Sequence, residues 1–318
     1  MENGPLLKWS LAGKGFARMQ HTLKTDIRIN GVGLHSGLPV TLTIKPAPAD
    51  HGIVFVRTDV RAAHADIPAL WNYVVDTRLC TVIGNAHGAN VGTIEHLMAA
   101  LRGCHIDNAL VELDGPEVPV MDGSSAPFVV ALDEAGMQIQ AAPRRAIRVL
   151  KEIIVEENGK RVCLSPGVGS SFSGQIEFNH PAIGKQFFTT CLVNGNFRHE
   201  LAQARTFGFA EEVAALRASG LALGGSLENA IVLDRDYVMN AGGLRFADEF
   251  IRHKLLDAVG DLYLAGGPII GAYEGFRAGH AMNNAVLRQL FATPDAWVRA
   301  DGPTGMAECL PAEARAVA

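Results

Sequence analysis

Hydrophobic and polar positions change period several times along this chain, and the changes mark out its elements. Between residues 25 and 58 apolar and polar residues alternate, with Gly and Pro at the breaks, which predicts a strand-rich opening. Over 93–102 the period lengthens: Ile94, Leu97, Met98 and Leu101 recur at i, i+3, i+4 and i+7, predicting a helix. Strand is expected again near 108–114, and a second helix over 126–136, after the turn-rich MDGSSAP. The stretch AAPRRAI (141–147) is the best linker candidate. Beyond it the pattern restarts, with strands expected at 147–156, 161–165 and 172–179 and helices at 198–206 and 246–264. Strands followed by helices twice over predict two α+β halves. No clear internal repeat is present, and the last two dozen residues, rich in Ala, Pro and Glu, read as a frayed tail.

Composition narrows the class. A length of 318 residues favours two domains, and 48% hydrophobic with 19% charged residues is ample for ordinary buried cores. The net charge of −5 and the lack of a basic block argue against a duplex nucleic-acid partner, although two or three local cations suffice for a phosphate. Five widely spaced cysteines with no CxxC pair indicate neither a disulfide framework nor a thiolate zinc site. No signal-like stretch or membrane-length apolar run occurs, so a cytoplasmic protein is expected.

Four places hold residues able to do chemistry. On the 246–264 helix, His253, Asp257 and Asp261 fall within an arc of roughly 80°, opposite Leu255, Leu256, Val259, Leu262 and Tyr263. By periodicity alone this arc reads as a solvated polar face; a His and an Asp at i, i+4 can equally share a cation, and Lys254 stands beside them. In TIEHLM (93–98) Glu95 precedes His96, without the second His of an HExxH zinc motif. In GHAMNN (279–284) His280 follows a glycine, a common turn setting, and RTFGF (205–209) places the Thr206 hydroxyl between bulky neighbours. None is decisive alone. Together they supply a zinc amidohydrolase: two imidazoles and a carboxylate leave one position for water, whose pKa the metal lowers. A carboxylate outside the coordination sphere serves as base, and a charged His as oxyanion partner.

The blocks GVGLHSG (31–37), TRLCT (77–81), TIEHLMAAL (93–101), PEVPVMDGSSAPFV (116–129), FNHPAI (178–183), RTFGF (205–209), LGGSLENAIV (223–232), LRFADEFIRHKLLDAVGDL (244–262) and GHAMNN (279–284) carry a resemblance. The chain resembles the UDP-3-O-acyl-N-acetylglucosamine deacetylases of bacterial lipid A synthesis, from about Met19 to about residue 298. The resemblance implies His96, His253 and Asp257 as ligands of one Zn2+, with Fe2+ a possible substitute, and Glu95 as general base. It implies His280, supported by Asp261, as the positive partner of the tetrahedral intermediate, with Thr206 donating to the same oxyanion. Lys254 would help place the UDP-linked acylated amino sugar, Phe207 would lie against the hexosamine ring, and Cys80 would stand beside the site without being a ligand.

The fold so implied is α+β: two similar domains, each a two-layer sandwich of a β-sheet and helices, with the active site between them. Residues 19–142 and 147–300 would be the domains, 1–18 an extension without counterpart and 301–318 a tail. An insert over about 208–236 would form an apolar passage for the acyl chain, lined by Ala210, Val213, Leu216, Ala222, Ala230 and Val232, or else be a surface excursion. A monomer is expected. Two readings from other classes stay open: a mononuclear iron facial-triad enzyme, which would carry its ligands on strands of a jelly-roll, and a catalytically dead sugar-nucleotide binder.

Overall fold

The computed structural model describes residues 19–193 and 195–301. The expected extension (1–18) and the tail beyond Asp301 lie outside the described residues. Two sheets organise the rest. The first runs Ile27–Val32, Pro39–Pro46, Ala109–Leu113, Ile53–Arg57 and Asp66–Pro68 in spatial order. In Pro39–Pro46 the alternation puts Val40, Leu42 and Ile44 on the buried face, and Ile44 faces Val111 across an antiparallel pair. The second sheet is seven-stranded. Its hub is Ile269–Phe276, which pairs antiparallel with Lys160–Ser165 and parallel with both Arg145–Val149 and Ser170–Glu177.

Among the described residues five α-helices fill the space around these sheets: α1 (Glu95–Gly103), α2 (Ala126–Ala135), α3 (Ala210–Ala218), α4 (Glu249–Tyr263) and α5 (His280–Phe291). Helices α4 and α5 lie on the second sheet, while α2 meets the Ile27–Val32 strand of the first. The closest helix pairing joins the halves: α1 packs along α4. Gly260 sets that approach, because a Cβ there would stand 2.0 Å from the Glu95 carbonyl oxygen and 3.1 Å from Ala99 N. A mid-helix glycine costs about 1 kcal/mol against alanine, and here it admits backbone contact no other residue allows. The mixed α+β architecture agrees with expectation, as do α1, α2 and α4 within a few residues.

Several details differ from the sequence pattern. The stretch 141–147 is no loose linker: strands Met137–Pro143 and Arg145–Val149 leave only Arg144 between them. Arg144 is buried, with Nε 2.8 Å from Asp107 Oδ1 and a guanidinium N–H donated to the His105 carbonyl at 2.8 Å. The helix expected at 198–206 is a single wide turn, Phe197–Leu201. The chain leaves it early because the Ala204 carbonyl is bound to His253 and the Arg205 N–H to Glu249. The strand expected at 147–156 is two strands, Arg145–Val149 and Ile153–Glu157, separated in the sheet by Lys160–Ser165 and Ile269–Phe276. His280 is not a turn residue but opens α5, with Gly279 as its N-cap.

Candidate metal centre

Helices α1 and α4 carry the centre. His96 projects from the first turn of α1, whose orientation Ser125 fixes by donating its hydroxyl to the His96 carbonyl at 2.7 Å. His253 and Asp257 project from α4 one turn apart. The polar arc of α4 is not solvated: His253 is 1% exposed, Asp257 2% and Asp261 2%. One ligand atom from each of His96, His253 and Asp257 lies within 4.8 Å of the others. His253 Nε2 stands 3.3 Å and His96 Nε2 3.6 Å from Asp257 Oδ1, and the imidazoles meet edge to face at 5.0 Å.

This donor set fits a divalent cation. Asp257 Oδ1 is buried and without a hydrogen-bond partner among the described residues, although two imidazole nitrogens face it. Its other oxygen takes the Lys254 ammonium at 2.6 Å. His253 Nδ1 lies 3.1 Å from the Ala204 carbonyl; a proton on Nδ1 completes that bond and leaves the Nε2 lone pair free. Burial lowers the pKa of both imidazoles, that of His253 to about 3, keeping them neutral as ligation requires. Burial opposes the charge on Asp257, but His253 and Lys254 outweigh it and hold the carboxyl below its ordinary range. The same contact, working against burial, raises Lys254.

A carboxylate and an imidazole flank the triad. Glu95 accepts the Thr81 N–H at 3.1 Å, and burial pushes its pKa up to about 8. His280 Nε2 stands 3.9 Å from Glu95 Oε1, while its Nδ1 lies 2.9 Å from Asp261 Oδ2. Burial disfavours the imidazolium, yet Asp261 and Glu95 raise its pKa to about 9. A buried base and a buried cation thus share one wall.

The other expected residues are placed less uniformly. Phe207 borders the triad, its ring 6.3 Å from that of His253 and 5.7 Å from the Lys254 ammonium. Lys254 itself bonds Asp257, so its first task is to hold a candidate ligand. Thr206 spans the two halves through its backbone, donating to Gly123 O and accepting from Ile231 N, both at 2.8 Å. Cys80 is buried, and burial with Glu95 pushes its thiol up to about 12, so it stays protonated. Ala210, Val213, Leu216, Ala222, Ala230 and Val232 are half-buried on α3, its following loop and the Ile231–Asp234 strand. Beside them a cavity of about 240 Å³ opens between His35, Leu79 and Cys80 on one side and Gly220 and Leu221 on the other.

The motifs did not single out Thr81, Glu117, Tyr273 or Asn283, which the structure adds. Glu117 is buried and accepts His35 N at 2.9 Å, Ser36 N at 2.8 Å and the Thr93 hydroxyl at 2.7 Å, shaping the loop against the insert. Tyr273 donates to Asn283, which donates to Asp261. The only signal of Thr81, Glu117 and Asn283 in the sequence was membership of the TRLCT, PEVPVMDG and GHAMNN blocks, and Tyr273 lies in none of the matched blocks.

Known proteins resemble this chain in sequence along most of its length. The family model described as LpxC, UDP-3-O-acyl N-acetylglycosamine deacetylase, matches residues 20–292. The UDP-3-O-acyl-N-acetylglucosamine deacetylase of Phenylobacterium zucineum is 51% identical over 278 residues, 87% of this chain and 95% of its own. Its namesake in Shewanella violacea is 49% identical over 280 residues, covering 87% and 91%. That of Myxococcus xanthus is 50% identical over 278 residues, covering 87% and 88%. A match over nearly the whole described chain, around a buried two-histidine, one-aspartate cluster, means that this chain belongs to the UDP-3-O-acyl N-acetylglycosamine deacetylase family.

Proposed function

We propose that this chain hydrolyses the N-acetyl amide of UDP-3-O-acyl-N-acetylglucosamine, giving UDP-3-O-acyl-glucosamine and acetate, in lipid A biosynthesis. One observation carries the reading in a chain of this family: two neutral imidazoles and a carboxylate converge beside a buried Glu–His pair. His96, His253 and Asp257 would hold one Zn2+, with Fe2+ as a substitute of the same ligand preference. Bound there, the ion supplies a Lewis acid that acidifies water and polarises the acetyl carbonyl.

The protein's own groups do the rest. Glu95, as carboxylate, takes a proton from the attacking water. The His280 imidazolium faces the oxyanion that develops and gives its proton to the departing amine, so the C–N bond breaks to amine and acetate. Asp261 keeps His280 charged and its Nε2 turned to the site. Thr206 donates its hydroxyl to the oxyanion, and Phe207 lies against the hexosamine ring. Lys254 serves Asp257 first and the sugar nucleotide through its remaining N–H groups. Residues 208–236 take the acyl chain, within a second domain spanning 147–300 against a first of 19–142.

A monomer is part of this reading. No described helix is long and apolar enough to cross a membrane, and action in the cytoplasm is part of this reading. Acetate release from the UDP-linked 3-O-acyl sugar, measured with chelator and after adding back Zn2+ or Fe2+, tests it. Release unaffected by complete metal removal overturns the metal assignment, and no release from metal-replete protein overturns the activity.

A further inference from the structure

One residue touches two of the carboxylates that the proposed chemistry needs, Glu95 and Asp261. Thr81 lies just ahead of the short strand Val82–Gly84, in the first half of the molecule, and is 1% exposed. Its N–H donates to Glu95 Oε2 at 3.1 Å and its hydroxyl to Asp261 Oδ1 at 2.5 Å, across the junction of the two halves. Its carbonyl accepts Ile94 N, at the start of α1, at 3.4 Å. All three polar atoms of Thr81 are therefore spent on the base, on the start of the helix that carries it, and on the aspartate that holds the acid.

The second of these bonds decides where Asp261 points. Asp261 Oδ2 is shared by His280 Nδ1 and Asn283 Nδ2, both at 2.9 Å, and Oδ1 receives Thr81. The last side-chain torsion of an aspartate is broad and nearly two-fold, so donors rather than rotamer wells must fix it. Asn283 is held in turn by Tyr273 at 2.7 Å. With Oδ1 unbound, only the two donors on Oδ2 restrain that torsion, and the acceptor that aims the other nitrogen of His280 at the site is held less closely.

We propose that Thr81 is a positioning residue, coupling the orientation of Glu95 to that of the Asp261–His280 pair. The inference rests on the deacetylase reading. Its test is a double-mutant cycle with metal-replete protein: wild type, Thr81→Val, Asp261→Asn and the double variant, with Thr81→Ser beside them. Loss of a partner of this kind costs roughly 10–100-fold, here read in kcat with KM held within a few-fold. Thr81→Ser, which keeps both donors, should restore most of the turnover at unchanged zinc content. The double variant should be no slower than Asp261→Asn alone, because the hydroxyl acts through that carboxylate. A merely structural role predicts multiplied penalties, loss of metal, or equal damage from serine, and any of these overturns the proposal. So does wild-type kcat in Thr81→Val. Should Thr81→Val not fold, Thr81→Ala lacks the same hydroxyl with less bulk and carries the cycle. If the wild type itself releases no acetate, the deacetylase reading fails rather than the role of Thr81.

Discussion

Helices α4 and α3 belong to the same half of the molecule and share little else. Of the fifteen residues of α4 thirteen are buried, among them His253, Asp257 and Asp261; of the nine of α3 none is. Helix α4 is pressed between α1 and the second sheet, so its polar groups have no water to turn to and must satisfy one another. Helix α3 sits on a three-stranded flap, Phe207–Phe209, Ile231–Asp234 and Tyr237–Val238, with Leu223 and Leu227 over two-fifths exposed in the loop between. Rigid burial suits groups that must be aimed and whose pKa values must be shifted. A loosely covered apolar module suits a flexible chain of methylenes, which needs area rather than aim.

The largest effect tests the rigid region. Replacing His96, His253 or Asp257 with Ala should strip the metal and lower kcat/KM by roughly 1,000-fold or more, the scale of several kcal/mol of lost Lewis-acid stabilisation. Full zinc content in purified Asp257→Ala by metal analysis would sink the assignment.

Next comes a glycine in each region. Gly260→Ala drives a methyl into the α1 backbone and should cost about 1–3 kcal/mol or more in urea unfolding, with activity falling because Glu95 moves. Gly208→Ala meets nothing within 4 Å and should leave the unfolding midpoint where it is. Equal costs would erase the contrast between the two regions.

The pH profile is a finer probe. Glu95 must be ionised and His280 protonated, so activity should be bell-shaped. The raised pKa of His280, about 9, means its charge is present below that pH and lost as pH rises through it. Asp261→Asn removes the first carboxylate that sustains it, so the alkaline limb should move down towards the ordinary histidine value of 6.5. The acidic limb belongs to Glu95, raised by burial, and bound cation should draw it lower by favouring the carboxylate. An alkaline limb unmoved by Asp261→Asn would refute the coupling.

The smallest effect tests the flap. Methylenes buried there are worth about 0.8 kcal/mol each, so Ala230→Phe should reduce kcat/KM for long acyl chains more than for short ones. Parallel chain-length profiles for variant and wild type would mean that the acyl group runs elsewhere.

Much of this molecule is legible in its sequence alone. Strong period changes exposed α1, α4 and the first-sheet strands, since a half-buried element must repeat its apolar face. Helix α5 and the hub strand Ile269–Phe276 were not seen; the hub is paired along both edges and carries buried Ile269, Ile270 and Tyr273. A strand buried in this way loses the alternation that would announce it. Thr81 was invisible for another reason: a lone threonine carries no period and no charge, and its partners are 14 and 180 residues away.

By itself, then, the sequence determined the α+β class, the family and the residue types able to hold a cation, because these follow from periodicity and from motifs read along the chain. Whether the His253–Asp257–Asp261 arc met solvent or core was beyond it, since helical periodicity records that an arc is polar but not what lies against it. The tertiary structure decided that α1 covers the arc, through the missing side chain of Gly260. Burial there drives Glu95 towards the neutral acid, while Asp261 holds His280 charged. Those shifts depend on desolvation and on distances between residues remote in sequence, and neither quantity exists until the chain has folded.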